Sequence, residues 1–226
     1  SVHLRNNGLV VIDTVAGGSD GADTVTISRA DNGHGNARLR LATGAGASDQ
    51  VIVTGLAAFL GDGGALVDIE IDTQAIAFNG GTLRSLGGTV DLDAHSGPIT
   101  TSDDGVDVEA ASLVATAGAG IALDTSVDDL TATNATSGGI VIRETDGLTV
   151  VGTGVRTLAG DGSIQLDVDA GNLTVASVVT AHGAGAVTLN ADSGTIDIQA
   201  VVSSTSGAIQ ITGDGIAQDA DVTTGG

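Results

Sequence analysis

Gly162-Ser163-Ile164-Gln165-Leu166-Asp167 is the stretch that decides the fold, because the chain keeps rewriting it. Other copies are Gly88-Thr89-Val90-Asp91-Leu92, Gly139-Ile140-Val141-Ile142, Gly194-Thr195-Ile196-Asp197-Ile198 and Gly207-Ala208-Ile209-Gln210-Ile211. In each a glycine opens a short run, and in all but the aliphatic Gly139–Ile142 copy apolar and polar residues then alternate. Side chains of a strand point to opposite faces in turn, so such a run buries one face and wets the other. A short strand that recurs after a glycine turn is one supersecondary unit stacked many times.

The intervals carry the argument further. Ile121, Ile140, Ile164, Val187 and Ile209 stand 19, 24, 23 and 22 residues apart. A second series, Leu130, Leu148, Leu173 and Ile196, interleaves at 18, 25 and 23. Two series sharing one period predict an all-β parallel β-helix, a solenoid whose coils of about 19–25 residues have at least two walls. The alternative is an antiparallel β-sandwich, for which Asp104-Gly105, Asp146-Gly147, Asp161-Gly162 and Asp214-Gly215 offer hairpin turns. Near-equal distances between alternate strands favour the solenoid. About ten coils at the usual strand spacing of about 4.8 Å predict a rod on the order of 50 Å long.

Composition agrees. All seven basic residues are arginine, and of 28 acidic residues only Glu70, Glu109 and Glu144 are glutamate. With few strong helix formers and abundant Asp, this is a turn-and-strand composition. Glycine is plentiful, at 36 of 226 residues, yet 41% of the chain is hydrophobic and patterned, which separates it from disorder. Phe59 and Phe78 are the only aromatic residues, so the core is aliphatic and thin. Residues 1–86 have longer strands and more charged turns, leading into the same solenoid; residues 87–226 form the regular coils.

A net charge of −21 argues against nucleic acid as a partner and attracts cations. No apolar run is long enough for a transmembrane helix, and residues 1–30 lack a signal-peptide pattern. The chain reads as a mature product or a piece of something longer, whose partners include further copies or a continuation of the same chain.

Gly118-Ala119-Gly120-Ile121-Ala122-Leu123, Gly139-Ile140-Val141-Ile142 and Ala191-Asp192-Ser193-Gly194-Thr195-Ile196-Asp197-Ile198-Gln199-Ala200 resemble the repeats of filamentous haemagglutinin-like proteins and other large bacterial β-strand-repeat surface proteins. The likeness covers about residues 87–222. It implies a right-handed parallel β-helix, a secreted adhesin or surface fibre, an extracellular or cell-surface location, and host or cell-surface glycans as partners.

Several residues are candidates for chemistry. Gly17-Gly18-Ser19-Asp20-Gly21-Ala22-Asp23 is similar to one turn of the glycine-rich calcium-binding nonapeptide, which makes Asp20 and Asp23 candidate calcium ligands; no other cofactor is suggested. No catalytic set stands out. Asp103-Asp104 and Asp128-Asp129 are the carboxylate pairs a polysaccharide-processing β-helix enzyme would need, but sugar-stacking Trp and Tyr are absent, and adjacent strand residues face opposite ways. His3, His34, His95 and His182 are scattered, and Thr-x-Thr pairs such as Thr131-Ala132-Thr133 do not recur at a fixed spacing. If the isoleucine coils are in register, Asp124, Arg143 and Asp167 form an outward ladder of alternating charge.

Overall fold

The computed structural model describes residues 2–3, 9–14, 22–28, 30–31, 38–43, 48–58 and 68–225. Among these residues there is no helix, and the strand pairings are parallel, which excludes the sandwich. The chain is a β-solenoid of about eight turns. That is fewer than the ten expected; the early coils are also the longest, with Val25, Val51 and Ile76 ladder neighbours 26 and 25 residues apart.

Strands are numbered in chain order. The first wall stacks β3 (Thr24–Ile27), β6 (Gln50–Val53), β9 (Ala75–Phe78), β11 (Ile99–Thr101), the start of β13 (Ile121–Asn134), β14 (Ile140–Glu144), β16 (Ile164–Val168), and the starts of β19 (Val187–Ile198) and β21 (Ile209–Gln218). Its pairings make one inward column of Val51, Ile76, Ile99, Ile121, Ile140, Ile164, Val187 and Ile209. From Val51 to Val187 these residues are almost fully buried. Each coil covers the side chain below it with one of similar size, and burying such a side chain contributes roughly 1.5–3 kcal/mol.

The second wall contains β2 (Leu9–Asp13), β5 (Arg38–Ala42), β8 (Ile69–Asp72) and the ends of β10 (Leu83–Ala94), β12 (Val108–Ala117) and β13. A narrow third wall contains β1 (Val2–His3), β4 (Ala30–Asp31), β7 (Ala57–Ala58), the starts of β10 and β12, and the middle of β13. The described strands before residue 87 thus occupy the same walls as those after it.

The coil changes shape after β13. No strand lies below 126–127, so the third wall stops there. In β15 (Leu148–Thr157), residues 149–150 pair with 129–130 and 155–157 with 132–134, leaving 151–154 as a bulge. Gly152 and Gly154, with φ of 61° and 84°, make that bulge possible. Below it the second wall is split into two short strands per coil: β17 (Leu173–Val175) with β18 (Val179–Ala181), residues 196–198 with β20 (Val202–Ser204), and residues 216–218 with β22 (Val222–Thr224). The shape change also displaces the second sequence series. Leu148 pairs with Leu173 and Leu173 with Ile196, whereas Leu130 pairs with Val150.

The opening glycine of the repeated phrase has a steric cause. A β-carbon on Gly162 would overlap the carbonyl oxygen of Gly138, one on Gly185 that of Gly162, and one on Gly207 that of Gly185. Where the chain turns into the first wall, coils pack backbone against backbone. Asp104-Gly105, Asp146-Gly147 and Asp161-Gly162 lie in turns between strands, Asp214-Gly215 lies within β21, and none closes a hairpin.

Buried polar residues finish these corners. Asn134 accepts from Gly120 N at 3.0 Å and donates to the carbonyls of Ser137 and Gly138. In the next coil its ladder partner Thr157 donates to Gly162 O, and Ser204 later does the same for Gly185 O. These bonds satisfy turn carbonyls that the strand ladders cannot reach.

Candidate functional site

The chain is strongly acidic, and its few cations are placed unevenly. On the early coils Arg38 meets Asp68 at 2.6 Å, Arg40 meets Glu70 at 2.7 Å, and Arg84 Nε donates to Glu109 at 2.6 Å. His95, held at φ 39°, brings Nε2 within 2.6 Å of Asp72 Oδ1. Asp91, beside this group, has its carboxyl raised above the ordinary range by burial and by the charges of Glu70, Asp93 and Asp72.

Asp124, Arg143 and Asp167 are ladder neighbours on three successive coils. They do not share the charge evenly. Arg143 Nη1 lies 3.5 Å from Asp124 Oδ1, while Asp167 accepts from Asn190 Nδ2 at 2.6 Å. Nor is the ladder uniformly exposed, since the Asp124 side chain is only 9% accessible against 54% for Arg143. Burial raises the Asp124 carboxyl, Arg143 opposes this, and Asp104 and Asp103 add to it.

Of the calcium candidates, Asp20 lies outside the described residues. Asp23 donates its backbone N–H to Asp49 Oδ1 at 2.8 Å, which ties two successive coils together. Among the described residues no group of three His, Cys, Asp or Glu is arranged to hold a metal ion. Asp103 accepts from Gly105 N at 2.9 Å in a local turn. In β13, Asp128 is exposed and its neighbour Asp129 half-buried.

Two carboxyls that sequence reading did not single out are deeper than any of these. Asp107 accepts from Thr101 Oγ1 at 3.1 Å and from Asp124 N at 2.9 Å, and it is pushed up to about 7 by burial, with those donors opposing the shift. Glu144 lies where the third wall stops. Its Oε2 accepts from Thr125 Oγ1 at 2.7 Å and from Val127 N at 3.1 Å, and its Oε1 from Thr145 N at 3.0 Å and Asp146 N at 3.3 Å. The carboxyl therefore takes the bond from Val127 that the missing strand would have taken. It too is pushed up to about 7, by burial. A sequence signal existed for Glu144: period two from Ile140 and Ile142 places it on the inner face.

Both carboxyls are engaged by protein donors and hold the coil corners together. A shallow, open depression of about 490 Å³ lies elsewhere, between the turns at Ser137–Gly139 and Gly160–Ser163. Its one carboxylate, Asp161, already accepts from Ala184 N at 2.9 Å.

The raised carboxyls make stability depend on pH. A carboxyl whose folded-state value exceeds its unfolded one stabilises the fold fully below the unfolded value, near 4, and loses that contribution as pH rises towards about 7. One unit corresponds to about 1.4 kcal/mol, so each group contributes on the order of a few kcal/mol. Melting followed by circular dichroism is expected to show a higher Tm at pH 5 than at pH 8, with the difference reduced in Asp107→Asn and Glu144→Gln. A Tm that is flat or rises over this interval would contradict the assignment.

Searches of protein-family models, of curated proteins and of solved structures found no match to this chain.

Proposed function

We propose that this chain is a structural segment of a secreted bacterial surface fibre, stalk or adhesin, and that it acts by stacking. The observation that carries this reading is the continuity of the first wall. One aliphatic column runs unbroken from Val51 to Ile209 on a chain of net charge −21. Such a column gives stiffness along its axis, and the surface charge opposes lateral aggregation.

The coil containing β21 and β22 supports extension of the stack. Ile216 is 51% exposed, whereas its ladder partner Ile196 is fully buried. Ile209, Ile211 and Val222 are likewise only partly covered. This coil offers aliphatic columns and a strand edge in register for another coil of the same kind, supplied by a continuation of the chain or by a second copy.

Electron microscopy of the purified chain over a range of concentrations tests the assembly part. Rods that lengthen in multiples of one chain's stack are expected. Short single rods at every concentration would defeat end-to-end assembly. A parallel series in chelator addresses calcium: filaments that dissolve would point to cation-dependent assembly instead of direct stacking.

A further inference from the structure

Arg156 differs from every other arginine whose side chain is described. Arg38, Arg40, Arg84 and Arg143 each meet a carboxylate, whereas among the described residues Arg156 has no ion pair, and its Nε is buried without an acceptor. On a chain of net charge −21, an arginine left without a carboxylate is a departure from the pattern of the whole surface.

Its surroundings are equally particular. In register, Thr116, Thr133, Arg156, Thr180, Ser203 and Thr223 form one outward column along the second wall. The sequence conceals this column, because coil lengths vary. Just before Arg156 the wall bulges, leaving Gly152 and Thr153 exposed. Leu158, two residues beyond it, is 45% exposed. A bulge beside a re-aimed polar side chain is a recurrent feature of binding sites.

We propose that this column is a binding site for a hydroxyl-rich glycan bearing an isolated carboxylate, with Arg156 receiving the carboxylate and the flanking Thr and Ser hydroxyls receiving sugar hydroxyls. The guanidinium fork matches a carboxylate in two parallel hydrogen bonds. Swinging towards a ligand sacrifices no bond, because the Arg156 side chain makes none to the described residues. Hydroxyls above and below it at coil spacing offer donors and acceptors along a line, as a linear chain of sugars requires; Thr180 and Ser203 share one bond at 3.1 Å and keep their remaining lone pairs for a ligand. The protein's own charge restricts the ligand: a polyanion is repelled at each of its charges, whereas a mostly neutral chain with one acidic sugar is repelled at a single charge, which Arg156 meets.

The test is titration of the intact chain, at low salt and followed by NMR, with a neutral oligosaccharide carrying a single glucuronate. The methyl ester of the same compound and a polyuronate serve as comparisons. Saturable shifts centred on Thr133, Arg156 and Thr180 are expected, with at least a tenfold loss of affinity for the ester and for Arg156→Gln. Arg143→Gln should bind as wild type, and the melting temperature of Arg156→Gln should be unchanged. Thr133→Val and Thr180→Val provide a second route, weakening binding while leaving Arg156 in place. Absence of binding, equal binding by the ester or by Arg156→Gln, or tighter binding of the polyuronate would overturn the proposal. Because the readout is from single chains, it stands or falls separately from filament assembly.

Discussion

Gly162→Ala is expected to destabilise the solenoid by about 3 kcal/mol or more, since one added methyl group must displace a backbone carbonyl and strain of this kind typically costs 1–3 kcal/mol before any ladder bond is lost. The β-carbon would overlap Gly138 O, and the atom it strikes is backbone, which cannot rotate away. For a chain of this size the change corresponds to a fall in Tm of very roughly 6–12 °C. Gly185→Ala and Gly207→Ala repeat the experiment on the following coils, each against the carbonyl of the glycine before it. Gly147→Ala is the control, because its β-carbon would come no closer than 3.5 Å to Asn172 O. Thermal and denaturant melts of the four variants should separate Gly147 from the rest. Equal losses at Gly147 and Gly162 would show that glycine is required there for some reason other than close approach.

Glu144→Ala is the second large loss. It removes the acceptor for Val127 N and Asp146 N, and one of two acceptors for Thr125 Oγ1 and Thr145 N, which keep Arg143 O and Thr125 O. A buried donor left unsatisfied costs about 1–3 kcal/mol, and with Val127 enclosed and a cavity left by the fully buried Glu144 side chain the total should reach about 3–5 kcal/mol. Glu144→Gln should be milder, because one amide oxygen still accepts while the NH₂ group faces donors on the other side. Hydrogen exchange locates the effect: in Glu144→Ala the amide of Val127 is expected to lose protection well beyond what the global loss explains. Unchanged protection at Val127 would mean that the carboxyl does not stand in for a strand.

The part of the fold that sequence reading recovers is the part whose coils vary least. From Ile121 to Ile209 every interval between inward isoleucines and valines corresponds to a ladder pair, since the first wall keeps its register while the loops absorb changes in length. The second series fails at one step, Leu130 to Leu148: where the third wall ends Leu130 pairs with Val150, two residues beyond Leu148, and the bulge at 151–154 then shifts the register by a further three residues. The third wall itself gives almost no signal, because strands such as Ala30–Asp31 and Ala57–Ala58 are too short to show a period. The same limit hides chemistry. Asp124 is outward by alternation, yet its side chain is mostly covered, and nothing local in the sequence announces that. Glu144 was legible from its place after Ile140 and Ile142; the line of hydroxyls through Arg156 emerges only when coils of unequal length are stacked.

The ladder bonds between successive coils also determine how such a rod yields to a pull on its two ends. Bonds directed along the axis are opened one row at a time when the terminal coil is drawn away, in the manner of a zip. Each coil so released, such as the 23 residues from Ile164 to Val187, adds roughly 75–80 Å of extended chain. A segment that is stiff and short at rest therefore becomes, under tension, a tether that pays out in equal steps, and it absorbs mechanical work at each of them.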